Sequence, residues 1–176
     1  MRKILGLILL PLLLAACHFP RPTAEPLSPT GSPTQQICYY NWATQPLPEL
    51  SAQVQAALEA AGLKDITARA EAYGENCYDS QTNEVVSFAA METDYHITVR
   101  VADLADRESL GETLEKILVV LDGFPSDTTP GPQPGFIAVS FQSDTDALNF
   151  RFTPGEGELV RQEGLQGAAL LEELMK

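Results

Sequence analysis

The chain is short of positive charge. Eleven Lys and Arg residues stand against 24 Asp and Glu in 176 residues, a formal charge of −13. Such a surface repels phosphate backbones and anionic headgroups, so nucleic acid is excluded as a partner, as is electrostatic docking on an anionic membrane. Histidine is scarcer, with only two residues, His18 and His96. Three cysteines occur, Cys17, Cys38 and Cys77, with no C-x-x-C spacing, which removes the common zinc and dithiol-redox patterns. The glycines form neither G-x-x-x-x-G-K-[ST] nor G-x-G-x-x-G, so no phosphate-cradling loop is present. A G-x-S-x-G nucleophile elbow is also missing. The longest apolar run, Ile4 to Leu14, covers 11 residues and is interrupted by Gly6 and Pro11. A bilayer-spanning helix needs about 20.

What the N-terminus does contain is ordered. Arg2 and Lys3 supply positive charge, the apolar run follows, and Leu14-Ala15-Ala16-Cys17 closes it. Short length and a small-residue end mark a cleaved leader. The arrangement resembles the type II signal peptide of bacterial lipoproteins. The resemblance implies removal of residues 1–16, lipidation of Cys17, and an extracytoplasmic protein held to a membrane by acyl chains. Each buried CH₂ contributes ~0.8 kcal/mol, and several chains together anchor stably. In bacteria with two membranes, His18 in place of Asp favours the outer one. Loss of Arg2 and Lys3 leaves nine basic residues against 24 acidic ones, a formal −15.

Residues 17–36 are rich in Pro, Ser and Thr and lack apolar periodicity. They read as a lipidated cysteine followed by an extended tether. Cys38 and Cys77 then remain as an even pair in an exported domain, which predicts a disulfide between them. It would close a loop of roughly 40 residues, worth about 4 kcal/mol in the chain-entropy description.

Residues 37–176 read as a single α+β domain. Leu50, Val54, Ala57, Leu58 and Ala61 share one face of a helix over 48–61, which Gly62 ends. From Ile66 to Tyr73, apolar and polar residues alternate, with small inward alanines that require something to pack close. Gly74 to Asn83 reads as a turn. Val85 to Val101 is extended, but Val86 and Phe88 run out of phase with Tyr95, Ile97, Val99 and Val101. A bulge near Ala90–Met91 reconciles the two halves. Leu110, Leu114, Ile117, Leu118 and Leu121 stripe a helix that Asp106 caps. Strands follow at Phe136–Phe141 and Leu148–Phe152 around a turn at Ser143–Asp146. A helical tail runs from Gly157 to Met175, with Leu159, Leu170, Leu171 and Leu174 as packing residues. The order αββαββα predicts a two-layer sandwich, with a four-stranded antiparallel sheet and helices on one face.

Candidate chemistry is sparse. Glu92, Asp94 and His96 alternate on one strand face, as zinc or manganese ligands would, although three in a row are poorly aimed at one ion. The competing account is a solvated face balanced by Arg69, Arg100 and Arg151. Ser143-Asp144-Thr145-Asp146 is oxygen-rich but lacks the glycine and final Glu of a calcium loop. Tyr39, Tyr40 and Trp42 flank Cys38. They predict either a satellite core around the disulfide or an exposed contact surface for an envelope protein. The proline-rich loop 125–135 is a second candidate contact surface. The pattern therefore points to a membrane-anchored lipoprotein with an extracytoplasmic binding or assembly domain and no implied cofactor. The alternative is a metal-dependent or hydrolytic envelope enzyme centred on Glu92, Asp94 and His96.

Overall fold

The structure is a computed structural model that describes residues 37–176. The leader at 1–16, Cys17 and the tether at 17–36 lie outside the described residues. In chain order the elements are β1 (Cys38–Pro46), α1 (Pro48–Ala60), β2 (Ile66–Asp79), β3 (Val85–Arg100), α2 (Arg107–Leu121), β4 (Gln133–Gln142), β5 (Ala147–Phe152), α3 (Pro154–Gln162) and α4 (Gly167–Leu174). The α+β class is as expected, but the sheet is not the four-stranded antiparallel one predicted. Five strands lie in sequence order, and β3 and β4 run parallel while the other neighbours are antiparallel. Parallel neighbours need a crossover connection, and α2 supplies it.

The extra strand is β1, built from the aromatic run. It pairs antiparallel with the distal half of β2, from Cys38 opposite Asp79 to Pro46 opposite Glu71. The expected turn at Gly74 is therefore strand, and β2 continues to Asp79. Cys38 and Cys77 form the predicted disulfide, with Cα atoms 5.3 Å apart.

Beyond the end of β1, the remaining edge of β2 is closed by α1. Gln55 Nε2 donates to the Ile66 carbonyl, and Gln55 Oε1 accepts from Ala68 N. Ser51 Oγ accepts from Ala70 N, and Leu47 N donates to the Ala70 carbonyl. Two side chains one turn apart thus stand in for a neighbouring strand, which satisfies backbone groups that burial would otherwise strand. This close approach explains the small residues Ala68 and Ala70: a larger side chain would hold α1 away from the sheet.

The predicted bulge is present. Tyr73 pairs with Glu92 but Gly74 pairs with Ala90, so Met91 is the extra residue. It shifts the face on which β3 side chains emerge and resolves the phase conflict. One sheet face carries Ile66, Ala70, Tyr95, Ile97, Val99, Ile137, Val139, Phe141 and Phe152. These bury against Val54 and Leu58 of α1, the apolar stripe of α2, Val160 of α3, and Leu170, Leu171 and Leu174 of α4. Asp106 caps α2 by accepting from Ser109 N.

The tail departs from expectation. It is two helices, separated around Gly164 at φ +78°, a left-handed conformation that favours glycine. The break resets the helical phase, so Leu159 is exposed instead of packed. Among the described residues no helix is long and apolar enough to cross a membrane.

Candidate functional site

The sheet face away from the helices is laid out by cross-strand register. One row across β2, β3, β4 and β5 reads Arg69, His96, Ala138, Arg151. The adjacent row pairs Glu71 with Asp94, and the next sets Thr44, Tyr73, Glu92 and Gln133 side by side. Residues in one row sit within side-chain contact distance. A cleft of about 660 Å³ lies beside these rows, lined by Thr44, Glu71, Tyr73, Glu92, Asp94, His96, Phe136, Arg151 and Glu156 among others. That size falls in the range of small-molecule sites, about 300–1,000 Å³.

Glu92, Asp94 and His96 all line the cleft, as strand alternation predicts. They do not form a solvated row, because Asp94 is only 5 % exposed. Gly135 permits this. A Cβ at that position would overlap Asp94 Oδ1 and the Thr93 carbonyl. Asp94 Oδ1 accepts from Phe136 N at 3.0 Å, and Oδ2 has no hydrogen-bond partner among the described residues. Sequence reasoning missed Glu71. Its Oε1 lies 2.7 Å from Arg69 Nη2 and 2.9 Å from His96 Nε2. The signal was its outward position in the Ile66–Tyr73 alternation, but only the register sets it against His96. Phe136 was read as a strand residue only. Its ring stands edge-on to His96 and carries the Arg151 guanidinium 5.3 Å above its centroid.

Burial pushes the Asp94 carboxyl above its ordinary pKa. Donation from Phe136 N and the nearby His96 and Arg151 pull it partly back, and Glu71 opposes them. Glu92 is also raised, first by burial and then by the Asp94 charge. As pH rises through the ordinary aspartate range, the unfolded chain ionises before folded Asp94 does. The unfolded state then holds fewer protons, so stability falls with pH across that window. Asp94→Asn keeps the acceptor for Phe136 N and carries no charge. It is expected to raise Tm at pH 7 while leaving Tm at pH 4 nearly unchanged. Thermal denaturation at both pH values checks this, and a lower Tm at pH 7 would contradict it.

Among the described residues, no group of three or more His, Cys, Asp or Glu side chains is placed to hold a metal ion. The alternation puts Glu92, Asp94 and His96 on one face, but Glu71 occupies His96 Nε2 and Gly135–Phe136 cover Asp94 Oδ1. Among the described residues no Ser, Thr or Cys side chain hydrogen-bonds to His96, whose Nε2 instead faces Glu71 Oε1. The Ser143–Asp146 segment is an ordinary turn, closed by Ser143 N to the Asp146 carbonyl and by Ser143 Oγ.

No family model, no curated protein and no solved structure matches this chain. The site is therefore read from its own geometry.

The aromatic strand β1 borders the cleft. Trp42 stacks on Tyr73, with ring centroids 5.3 Å apart, and Tyr39 stacks on Tyr78. Tyr39, Tyr40 and Trp42 remain 44 %, 61 % and 57 % exposed. The loop at 125–135 is partly strand, since β4 begins at Gln133. Thr93 Oγ1 donates to the Pro130 carbonyl, which holds the loop against β3.

Proposed function

We propose that this protein is a lipid-anchored extracytoplasmic binding module, and that the open face of its sheet is the binding face. One observation carries the reading. The floor of the cleft holds a buried carboxylate and unpaired charged groups, between the start of α3 on one side and exposed aromatic residues of β1 on the other. Unpaired charge beside a half-buried cleft is unfavourable for the free protein and favourable for one that receives a ligand. The Leu14-Ala15-Ala16-Cys17 segment supports the anchor, and Tyr40 and Trp42, which share the Thr44 face of β1, form a rim suited to an envelope protein partner, while Tyr39 alternates to the opposite face. An enzymatic reading centred on Glu92, Asp94 and His96 has less support, because His96 is oriented by Glu71 but faces no nucleophile.

Two measurements in intact cells test the two halves of the proposal. Cys17→Ser is expected to move the protein from the membrane fraction to the soluble fraction. A variant still retained at the membrane would refute the lipid anchor. A photo-crosslinking residue at position 42 is expected to give a recurrent adduct that the same residue at Val119, exposed on α2, does not. Equal labelling from both positions would refute the open sheet face as the binding face.

A further inference from the structure

The charges lining the cleft are of both signs; Glu71, His96 and Glu156 have partners, whereas Arg151, Glu92 and one oxygen of Asp94 have none among the described residues. The Arg151 guanidinium makes no hydrogen bond or salt bridge among the described residues and rests on the Phe136 ring. Glu92 likewise has no hydrogen-bond or ion-pair partner among the described residues. Asp94 Oδ2 is unpartnered beside it. Arg69 and Glu71, by contrast, already satisfy each other. The geometry points to a small zwitterion as the ligand, a free amino acid or dipeptide. Its carboxylate would be held by Arg151 and its ammonium by Asp94 and Glu92.

The argument is one of charge balance. A simple cation would leave Arg151 uncompensated and meet its repulsion, and a simple anion would be opposed by Asp94 and Glu92. A neutral ligand would leave every one of these groups to be desolvated without compensation. Only a ligand carrying both signs satisfies both ends. The donor chemistry fits as well. A guanidinium matches a carboxylate in a two-pronged arrangement, and an ammonium finds acceptors in two carboxylates. Phe136, which lines the cleft beneath the Arg151 guanidinium, offers an apolar surface where the ligand's carbon skeleton would rest. The volume of the cleft exceeds that of a single small amino acid, so a dipeptide is accommodated.

This inference rests on the open face being the binding face, and the test separates the two. The full chain carrying Cys17→Ser is titrated with the free amino acids and a set of dipeptides. Calorimetry is used together with the fluorescence of Trp42, the only tryptophan. Concentrations run to about 10 mM, where even millimolar affinity registers. Any zwitterion that binds is compared with its N-acetylated form and its C-terminal amide. Each block removes one charge-assisted contact and is expected to weaken binding roughly tenfold or more. Arg151→Gln is expected to abolish the difference between the zwitterion and its amide. Glu92→Gln is expected to shrink the difference between the zwitterion and its N-acetylated form. Both side chains reach solvent, so neither change should disturb folding. Binding that survives both blocks undiminished overturns the proposal. If no zwitterion binds while saccharide or polyamine probes bind and respond to Glu92→Gln, the ligand class is wrong and the binding face stands. If no probe in any class binds, the zwitterion proposal falls, and the crosslinking from position 42 decides the binding face separately.

Discussion

Reduction of the Cys38–Cys77 disulfide is expected to lower stability by about 4 kcal/mol, the chain-entropy value for a loop of this length. The bond spans 39 residues and removes that much freedom from the unfolded chain. A domain of this size loses about 3–4 °C of Tm per kcal/mol, so the melting point should fall by about 12–16 °C. Thermal denaturation with and without a reductant, and of Cys38→Ala/Cys77→Ala, measures it. A shift under about 3 °C would show that the unfolded chain is already restricted without the bond. The loss should not be spread evenly. β1 is an edge strand held on one side only by β2, and its side chains are largely exposed, so little apolar burial holds it. Hydrogen exchange should show β1 amides losing protection first, while β3 and β4 retain it. With β1 goes the aromatic rim, so reduction should also abolish the crosslinking from position 42.

Gly111→Ala is expected to destabilise by about 3 kcal/mol or more, a drop of about 10 °C in Tm. Helix propensity alone predicts the opposite. Gly111 lies inside α2, where Ala is favoured by about 1 kcal/mol. The tertiary contact reverses the sign. A Cβ on Gly111 would overlap the carbonyl, C and Cα of Gly167, which is backbone and cannot rotate away. Residue 111 sits between two acids that serve α4. Glu115 Oε1 accepts from Gly167 N at 2.6 Å, and Glu108 Oε2 accepts from Ala168 N at 3.0 Å. The N-cap residue of α4, Gln166, makes no side-chain cap of its own, so α2 caps α4 from outside. Carboxylates at a helix N-terminus satisfy free N–H groups and complement the dipole. Pushing the helices apart would break those bonds and uncover Leu170, Leu171 and Leu174. A chemical denaturation curve measures the change, and a gain in stability would overturn the account.

Much of this was legible along the chain. The α2 stripe and its Asp106 cap follow from spacing, because a helix face buried against a sheet must repeat its apolar residues every three or four positions. The bulge at Met91 was readable because Val86 and Phe88 could not share a phase with Tyr95 and Ile97. The small residues from Ala68 to Ala72 announced a close neighbour, and α1 is there.

What stayed hidden was relational. Residues 38–46 carry no burial contrast, because an edge strand beyond the helices buries neither face. No period marked β1. Nothing in the spacing of Glu108 and Glu115 reveals the helix end they serve. The parallel pairing of β3 with β4 was invisible for a similar reason. A helix between two strands permits either an adjacent return or a more distant one, and the buried faces look alike in both.

By itself, the sequence determined the α+β class, the helix faces, the bulge and the cysteine pairing, since each follows from local periodicity or from counting. The tertiary structure alone decided the mixed sheet and the site. Glu71 meets His96, Asp94 sinks beneath Gly135, and Arg151 reaches over Phe136 because four separate strands fall into one register. Register is a property of pairs of strands, set by what each buries against the other, and no single stretch of chain contains it.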